Sequence, residues 1–415
     1  MNESRAQSTV GPMITIGLLF FIFGFVTWLN GPLITFVKLA FTLDDVGAFL
    51  VPMAFYLAYF FLALPASAIL RRTGMKAGMA VGLIVMAVGA VAFGHFTTER
   101  VYAGALMGLF TLGAGLSLLQ TASNPYISIL GPIESAAQRI AVMGICNKLA
   151  GILAPLVFGA LVLQGLDHFE ARVAAAADDG ARALLLDQFA AQVYWPYMAM
   201  AAVLAGLAVF ILRSGLPDIE AEQVNDAPGD AGRSIFSYPH LWFGVVALFL
   251  YVGVEVLAAD AIGVYGEGFG MSASDTAYFT SLTLAAMLAG YLAGLAVVPR
   301  VFSQEAYLAL SAALGALIAL AAYATSGWVS VGCIAALGFA NAMMWPAIFP
   351  LAIRGLGRHT ELGSAFLIMA IAGGAILPYV FAVLKNTIDF QLAYLAIALP
   401  GYLFIAWYGW RGARA

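Results

Sequence analysis

The sequence predicts an all-α membrane protein of twelve transmembrane helices, arranged as two pseudo-symmetric six-helix bundles. Three observations predict it. The first is composition: 63% of the 415 residues are hydrophobic and 10% charged, with a mean hydropathy of +0.95, against about 25% charged in a typical soluble domain. A water-soluble core cannot absorb that much apolar surface. The second is span length, since apolar stretches of the roughly 20 residues needed to cross a bilayer core recur along the whole chain. The third is an internal echo. LLQTASNPYI (118–127) reappears, reworded, as FANAMMWPAI (339–348), so that aligning Pro125 with Pro346 sets Gln120 on Asn341 and Ile127 on Ile348. Internal repeats of this kind mark a transporter fold whose substrate site lies between the repeats.

The spans fall near 13–39, 46–70, 76–96, 102–130, 138–164 and 193–213 in the first half. In the second they fall near 239–264, 275–298, 304–324, 327–353, 361–384 and 390–410. Residues 1–213 thus form one bundle and 237–415 the other. The stretch 214–236 between them is acidic, contains Pro and Gly, and lacks apolar periodicity, which predicts a flexible linker. The polar N-terminus runs straight into a long apolar segment with no cleavage site, so the first span is read as retained. The connection at 165–192 is rich in Ala and Leu, and reads either as a short surface helix or as a long loop.

Charge gives the orientation. With the N-terminus inside, the cytoplasmic segments hold Arg5, Arg71, Arg72, Lys76, Arg139, Arg213, Arg233, Arg300, Arg354, Arg358, Arg411 and Arg414. The outer loops hold only Arg100, Arg172, Arg182 and Lys385. Twelve against four places both termini in the cytoplasm. The pI near 5.5 says nothing about nucleic acid, but no basic tract exists that could follow a phosphate backbone, so no nucleic-acid partner is expected. Cys146 and Cys333 both lie in apolar spans, where no disulfide framework is indicated. The four histidines sit at loops or span ends without ligand spacing, so no metal or cofactor is expected, nor an enzyme's nucleophile–base pair.

Ionisable residues inside a membrane need a reason to be there. Lys38 lies near the outer end of span 1, where it can snorkel to the headgroups. Asp44 and Asp45 follow as caps for the next helix. Lys148 sits about nine residues into span 5, roughly 13 Å deep at 1.5 Å per residue. It faces either a water-filled cavity or a carboxylate, or it is a structural pair holding helices together. Glu255 is about 21 Å into span 7 and is the first candidate for a cation-coupling carboxylate, because a partly dry cavity moves a carboxyl towards the working pH range. Asp260 is the second candidate, with a cavity-mouth role as the alternative. On an ideal helix the two do not share a face; Gly253 and Gly263 permit the local unwinding that would bring them together.

Several amides lie on presumed inner faces. Asn30-Gly31-Pro32 interrupts span 1, because proline lacks a donor and clashes with the previous turn. Gln120 and Asn124, four apart, share a face of span 4. Span 5 adds Asn147, and span 10 adds Asn341 with Trp345 one turn on. Amides donate to and accept from hydroxyls, and an indole covers the C–H face of a sugar ring. For each amide alone an interhelical hydrogen bond is the competing reading, and for Trp345 it is core packing.

FVTWLNGPLITFVKLAFTL (25–43), PASAILRRTGMKAG (65–78), LLQTASNPYISILGPIESAAQR, GICNKLAG, FLYVGVEV (249–256) and MMWPAIFPLAIRGLGRHTELGSA (343–365) carry a resemblance spread over nearly all twelve spans. The chain resembles the major facilitator superfamily, and within it the fucose permease and glucose/galactose transporter group of bacterial sugar symporters. Ser67 stands where that family's loop motif usually has glycine. Fucose permease carries an aspartate and a glutamate where this chain has Gly31 and Gln120, so those titrating groups are not carried over, and the charge work falls to Glu255, Asp260 and Lys148.

The resemblance implies a secondary active transporter of the bacterial inner membrane, monomeric, importing a neutral hexose of the glucose, galactose or N-acetylglucosamine class by alternating access. The coupling ion is a proton, with a sodium-coupled sugar symporter, or an uncoupled uniporter or exporter of another small solute, as the alternatives. Asn30, Gln120, Asn124, Asn147, Lys148, Asn341 and Trp345 are the expected sugar contacts, Glu255 and Asp260 the cation-handling groups, and Arg71, Arg72 and Lys76 the expected inner gate.

Overall fold

A computed structural model describes residues 10–129, 136–216, 234–298 and 300–414, and every regular element among them is helical. The first half contains α1 (Val10–Thr27), α2 (Asn30–Ala40), α3 (Asp45–Ala48), α4 (Leu50–Thr98), α5 (Tyr102–Ile129), α6 (Ala136–Val162), α7 (Leu166–Ala174), α8 (Asp179–Ala191) and α9 (Tyr194–Arg213). The second half contains α10 (Pro239–Ala259), α11 (Ile262–Glu267), α12 (Ala273–Thr276), α13 (Phe279–Val297), α14 (Gln304–Ala324), α15 (Gly327–Asn341), α16 (Met344–Ile353), α17 (Thr360–Met369), α18 (Gly373–Leu384) and α19 (Phe390–Trp410). Most of the predicted linker lies at 217–233, outside the described residues.

Eleven helical stretches among the described residues are long and apolar enough to cross a membrane. One of them contains two crossings. A straight helix of 49 residues would measure about 74 Å, more than twice a bilayer core. Instead α4 breaks at Gly74, whose φ of 76° and ψ of 165° suit a residue without a Cβ. Its two arms are spans 2 and 3, which brings the crossings to twelve.

Proline chemistry interrupts two other spans. Pro32 has no N–H to bond the carbonyl of Trp28, and the chain turns at Trp28 and Leu29 between α1 and α2. Pro346 likewise leaves the Ala342 carbonyl without its intrahelical donor, and span 10 breaks between α15 and α16. Span 7 breaks between α10 and α11, at Asp260 and Ala261. Gly253 is not the hinge: it lies inside α10, where a Cβ would come within 2.2 Å of the Leu377 side chain.

The two bundles meet where α6 packs against α13 and where α4 packs against α17 and α18. Away from these seams the surface is apolar. Val81, Ile84, Val88 and Val91 recur three or four apart on α4 and are all exposed, which is the stripe a lipid-facing helix presents. The connection at 165–192 is not a loop but two helices. Asp178 caps α8 by accepting from the Ala181 amide at 2.7 Å. Phe189 anchors the pair, lying 4.6 Å from Phe169 of α7 and 5.0 Å from Phe36 of α2.

Candidate functional site

Between the bundles lies a cavity of about 120 Å³. The first bundle supplies Thr27 from α1, Tyr56 and Tyr59 from α4, Gln120 and Asn124 from α5, and Asn147 and Lys148 from α6. The second supplies Tyr251 and Glu255 from α10, Tyr291 from α13 and Trp345 from α16. Helical spacing explains several of these pairs. Gln120 and Asn124, Tyr251 and Glu255, and Tyr56 and Tyr59 are each three or four residues apart, so each pair shares a face.

The centre of the site is an ion pair that crosses from one bundle to the other. Lys148 Nζ lies 2.9 Å from Glu255 Oε1, with side-chain exposures of 7% and 10%. The ammonium also sits 4.1 Å from the centroid of the Trp28 ring, a cation–π contact that strengthens when water is excluded. The Trp28 indole N–H in turn donates to Asn147 Oδ1 at 3.1 Å. Trp28 reaches this position because span 1 turns there. Lys148 is therefore satisfied on two sides without bulk water, which a buried charge requires.

Five of the seven expected sugar contacts line the cavity: Gln120, Asn124, Asn147, Lys148 and Trp345. Gln120 donates to the Tyr59 hydroxyl at 3.0 Å, and Trp345 stacks on Phe349 with ring centroids 5.8 Å apart. Asn30 and Asn341 depart from expectation, since neither belongs to the lining. Asn30 donates to the Thr27 carbonyl at 3.0 Å, which serves the interrupted turn of span 1. Asn341 is fully buried and accepts from the Tyr402 hydroxyl at 2.9 Å. The repeat is thus symmetric in sequence and asymmetric in structure. Helix α5 runs on through Pro125, whereas α15 ends at Asn341, and that end turns its amide towards α19 instead of the cavity.

Glu255 belongs to the lining, but Asp260, the other expected coupling group, does not. It is 2% exposed at the break of span 7, and neither of its carboxylate oxygens makes a hydrogen bond. The break does not place it beside Glu255 on one cavity wall.

Lys38 overturns its reading as a snorkelling residue. Its Nζ lies 2.7 Å from Asp45 Oδ1 and 2.6 Å from Glu267 Oε2, and Lys385 pairs with the other oxygen of Asp45. These four residues link the ends of α2 and α11, the start of α3 and the end of α18, so they tie the two bundles together on one face. Asp44 does cap, accepting from the Gly47 amide at 2.8 Å. Lys76, expected at a gate, donates to the carbonyl of Ser214 at the C-terminal end of α9, at 2.7 Å. Arg71 and Arg72 are exposed beside the bend at Gly74.

Sequence reasoning missed the aromatic wall of Trp28, Tyr56, Tyr59, Tyr251 and Tyr291. A signal existed for Tyr251, one helical turn before Glu255. None existed for Trp28, whose place depends on which residue absorbs the turn before Pro32.

A cavity with an aromatic wall and a few convergent polar groups, set between two bundles of membrane-spanning helices, is the architecture of a carrier. The comparisons agree. The Major Facilitator Superfamily profile matches residues 16–378. The glucose/galactose transporter of Brucella abortus is 34% identical over 422 residues, spanning 100% of this chain and 97% of that one. The L-fucose-proton symporter of Escherichia coli K12 is 28% identical over 382 residues, spanning 90% of this chain and 87% of that one. The crystal structure of the transporter FucP in the outward conformation superposes with a TM-score of 0.78 at 26% identity, covering 99% of this chain and 100% of that one. The chain belongs to the major facilitator superfamily, and is a membrane transporter rather than an enzyme.

Proposed function

We propose that this protein imports a neutral hexose across the bacterial inner membrane by alternating access, with the sugar held in the central cavity and its movement coupled to a proton. One observation carries the reading: three amides, an indole and a charge pair supplied by opposite bundles converge on the same cavity. The amides of Gln120, Asn124 and Asn147 offer donors and acceptors to hydroxyls, and Trp345 offers a face to C–H groups. The relatives named above are transporters of glucose, galactose and fucose, which supports a hexose.

Coupling falls to Glu255. A proton on this carboxylate dissolves its ion pair with Lys148 and with it an electrostatic tie between the bundles, so loading and conformation become linked. Lys148, once released, is free to meet a sugar hydroxyl. With the basic face cytoplasmic, the cluster of Lys38, Asp45, Glu267 and Lys385 is the outer gate, closed in this conformation. Arg71, Arg72 and Lys76 stand where an inner gate would form when the outer one opens.

Two outcomes follow. Gln120→Ala is expected to weaken hexose binding by about 1–2 kcal/mol, the cost of unpairing a hydroxyl, as read by calorimetry; unchanged affinity would remove Gln120 from the contacts. Lys38→Met combined with Glu267→Gln is expected to open the outer side. In a background with Cys146 and Cys333 replaced by serine, a cysteine introduced at Thr35, now buried at 7% exposure, should then react several-fold faster with an impermeant thiol reagent added outside. An unchanged rate would show that the cluster is not a gate.

The function itself is tested by counterflow in proteoliposomes preloaded with glucose, galactose or N-acetylglucosamine. Exchange of at least one is expected, and exchange of none overturns the reading.

A further inference from the structure

We propose that Asp260 is the residue that holds the transported proton while the outer side is closed, as a neutral carboxylic acid buried in the seam between the bundles. The inference rests on the cation-coupled reading above and assigns the proton's resting place within it. Glu255 already has a cation, Lys148, at 2.9 Å. Asp260 has none, and an ionised carboxylate in so dry a place is costly enough that the group takes a proton instead.

The groups facing Asp260 come from α2, α4, α13, α10 and α6. From α2 comes the Gly31 N–H and from α4 the Tyr56 hydroxyl, the two donors that would favour an ionised carboxylate, yet neither reaches hydrogen-bond geometry with it. From α13 comes Thr280, whose hydroxyl is committed to the Ala259 carbonyl at 2.7 Å. The charged neighbours are Glu255 on its own helix and Lys148 on α6, and these two neutralise each other. A metal cation would need several converging oxygens, yet the nearby carbonyls of Ala258 and Ala259 already accept from Thr283 and Thr280.

The seam explains why the proton's hold depends on conformation. A Cβ at Gly31 would stand 3.3 Å from Asp260 Oδ1 and 2.3 Å from Thr280 Oγ1. The first bundle therefore closes over Asp260 only because position 31 has no side chain. When the bundles part at the outer face, α2 and α4 leave, water reaches the carboxylate and it equilibrates with the outside. Closure then requires a proton from outer water, converting COO⁻ to COOH. On the inner side the proton leaves by way of water to the Glu255 carboxylate and then to the cavity, the pair with Lys148 lapses while Glu255 is protonated, and the water admitted there hydrates the Asp260 carboxylate left behind.

The test is infrared spectroscopy of reconstituted protein at neutral pH, using the band of a protonated carboxyl, beside a transport assay. The band is expected in wild type, retained in Glu255→Gln and lost in the isosteric Asp260→Asn. Asp260→Asn is also expected to lose concentrative uptake while keeping counterflow that no longer varies with pH. Absence of the band in wild type, its loss in Glu255→Gln instead, or normal accumulation by Asp260→Asn would overturn the assignment. Failure of the coupling reading looks different: wild-type uptake would be indifferent to any ion gradient while the band still mapped to Asp260.

Discussion

Glu255→Gln is expected to abolish gradient-driven accumulation of sugar and to leave counterflow at a substantial fraction of the wild-type rate. Glutamine keeps an oxygen within reach of Lys148 Nζ, now 2.9 Å from Glu255 Oε1, and the Trp28 ring at 4.1 Å remains on its other side. The cavity therefore keeps its shape and its sugar contacts. What is lost is the carboxylate to which the proposed coupling assigns the tie between bundles. Normal concentrative uptake by this variant would remove Glu255 from coupling.

Lys148→Met is expected to have the larger effect on stability. Removing one member of a buried pair leaves an uncompensated charge and costs about 3–5 kcal/mol, and here the stranded group is Glu255, 8% exposed. Adding Glu255→Gln to the same chain should recover most of that loss, because no charge is then left alone, while transport stays absent in both variants. A double-mutant cycle on thermal unfolding in detergent reads the coupling. Simple additivity of the two changes would show that the pair does not act as a unit. Recovered stability without recovered transport separates this account from a purely structural role for the lysine.

The architecture was legible because a bilayer is an exacting solvent. It demands runs of about 20 apolar residues, and it makes each exception conspicuous. Lys148 and Glu255 stood out for that reason, and both line the cavity. Two of the interruptions were local events as well: the missing donors of Pro32 and Pro346 sit one turn beyond the breaks they cause. Tertiary placement was not legible in the same way. Whether an amide faces the cavity or a neighbouring helix depends on where a broken helix resumes, and Asn341 turned to Tyr402 while its repeat partner Gln120 turned inward. The cluster around Asp45 joins Lys38 to Glu267 across 229 positions of sequence, and no local pattern reports such a pairing. Gly31 is a third case. Read alone it is part of a helix break, and only the packed seam shows that its missing side chain leaves room for Thr280 and, beside it, Asp260.

The central claim is that sugar movement is tied to a proton through charged groups lying between the bundles. Uptake of labelled hexose into proteoliposomes, with pH and sodium gradients imposed separately, tests it most directly. The account predicts accumulation above equilibrium when the interior is alkaline, none from an inward sodium gradient alone, and collapse of accumulation when a protonophore is added. Accumulation driven by sodium, or equilibration indifferent to both gradients, would contradict it.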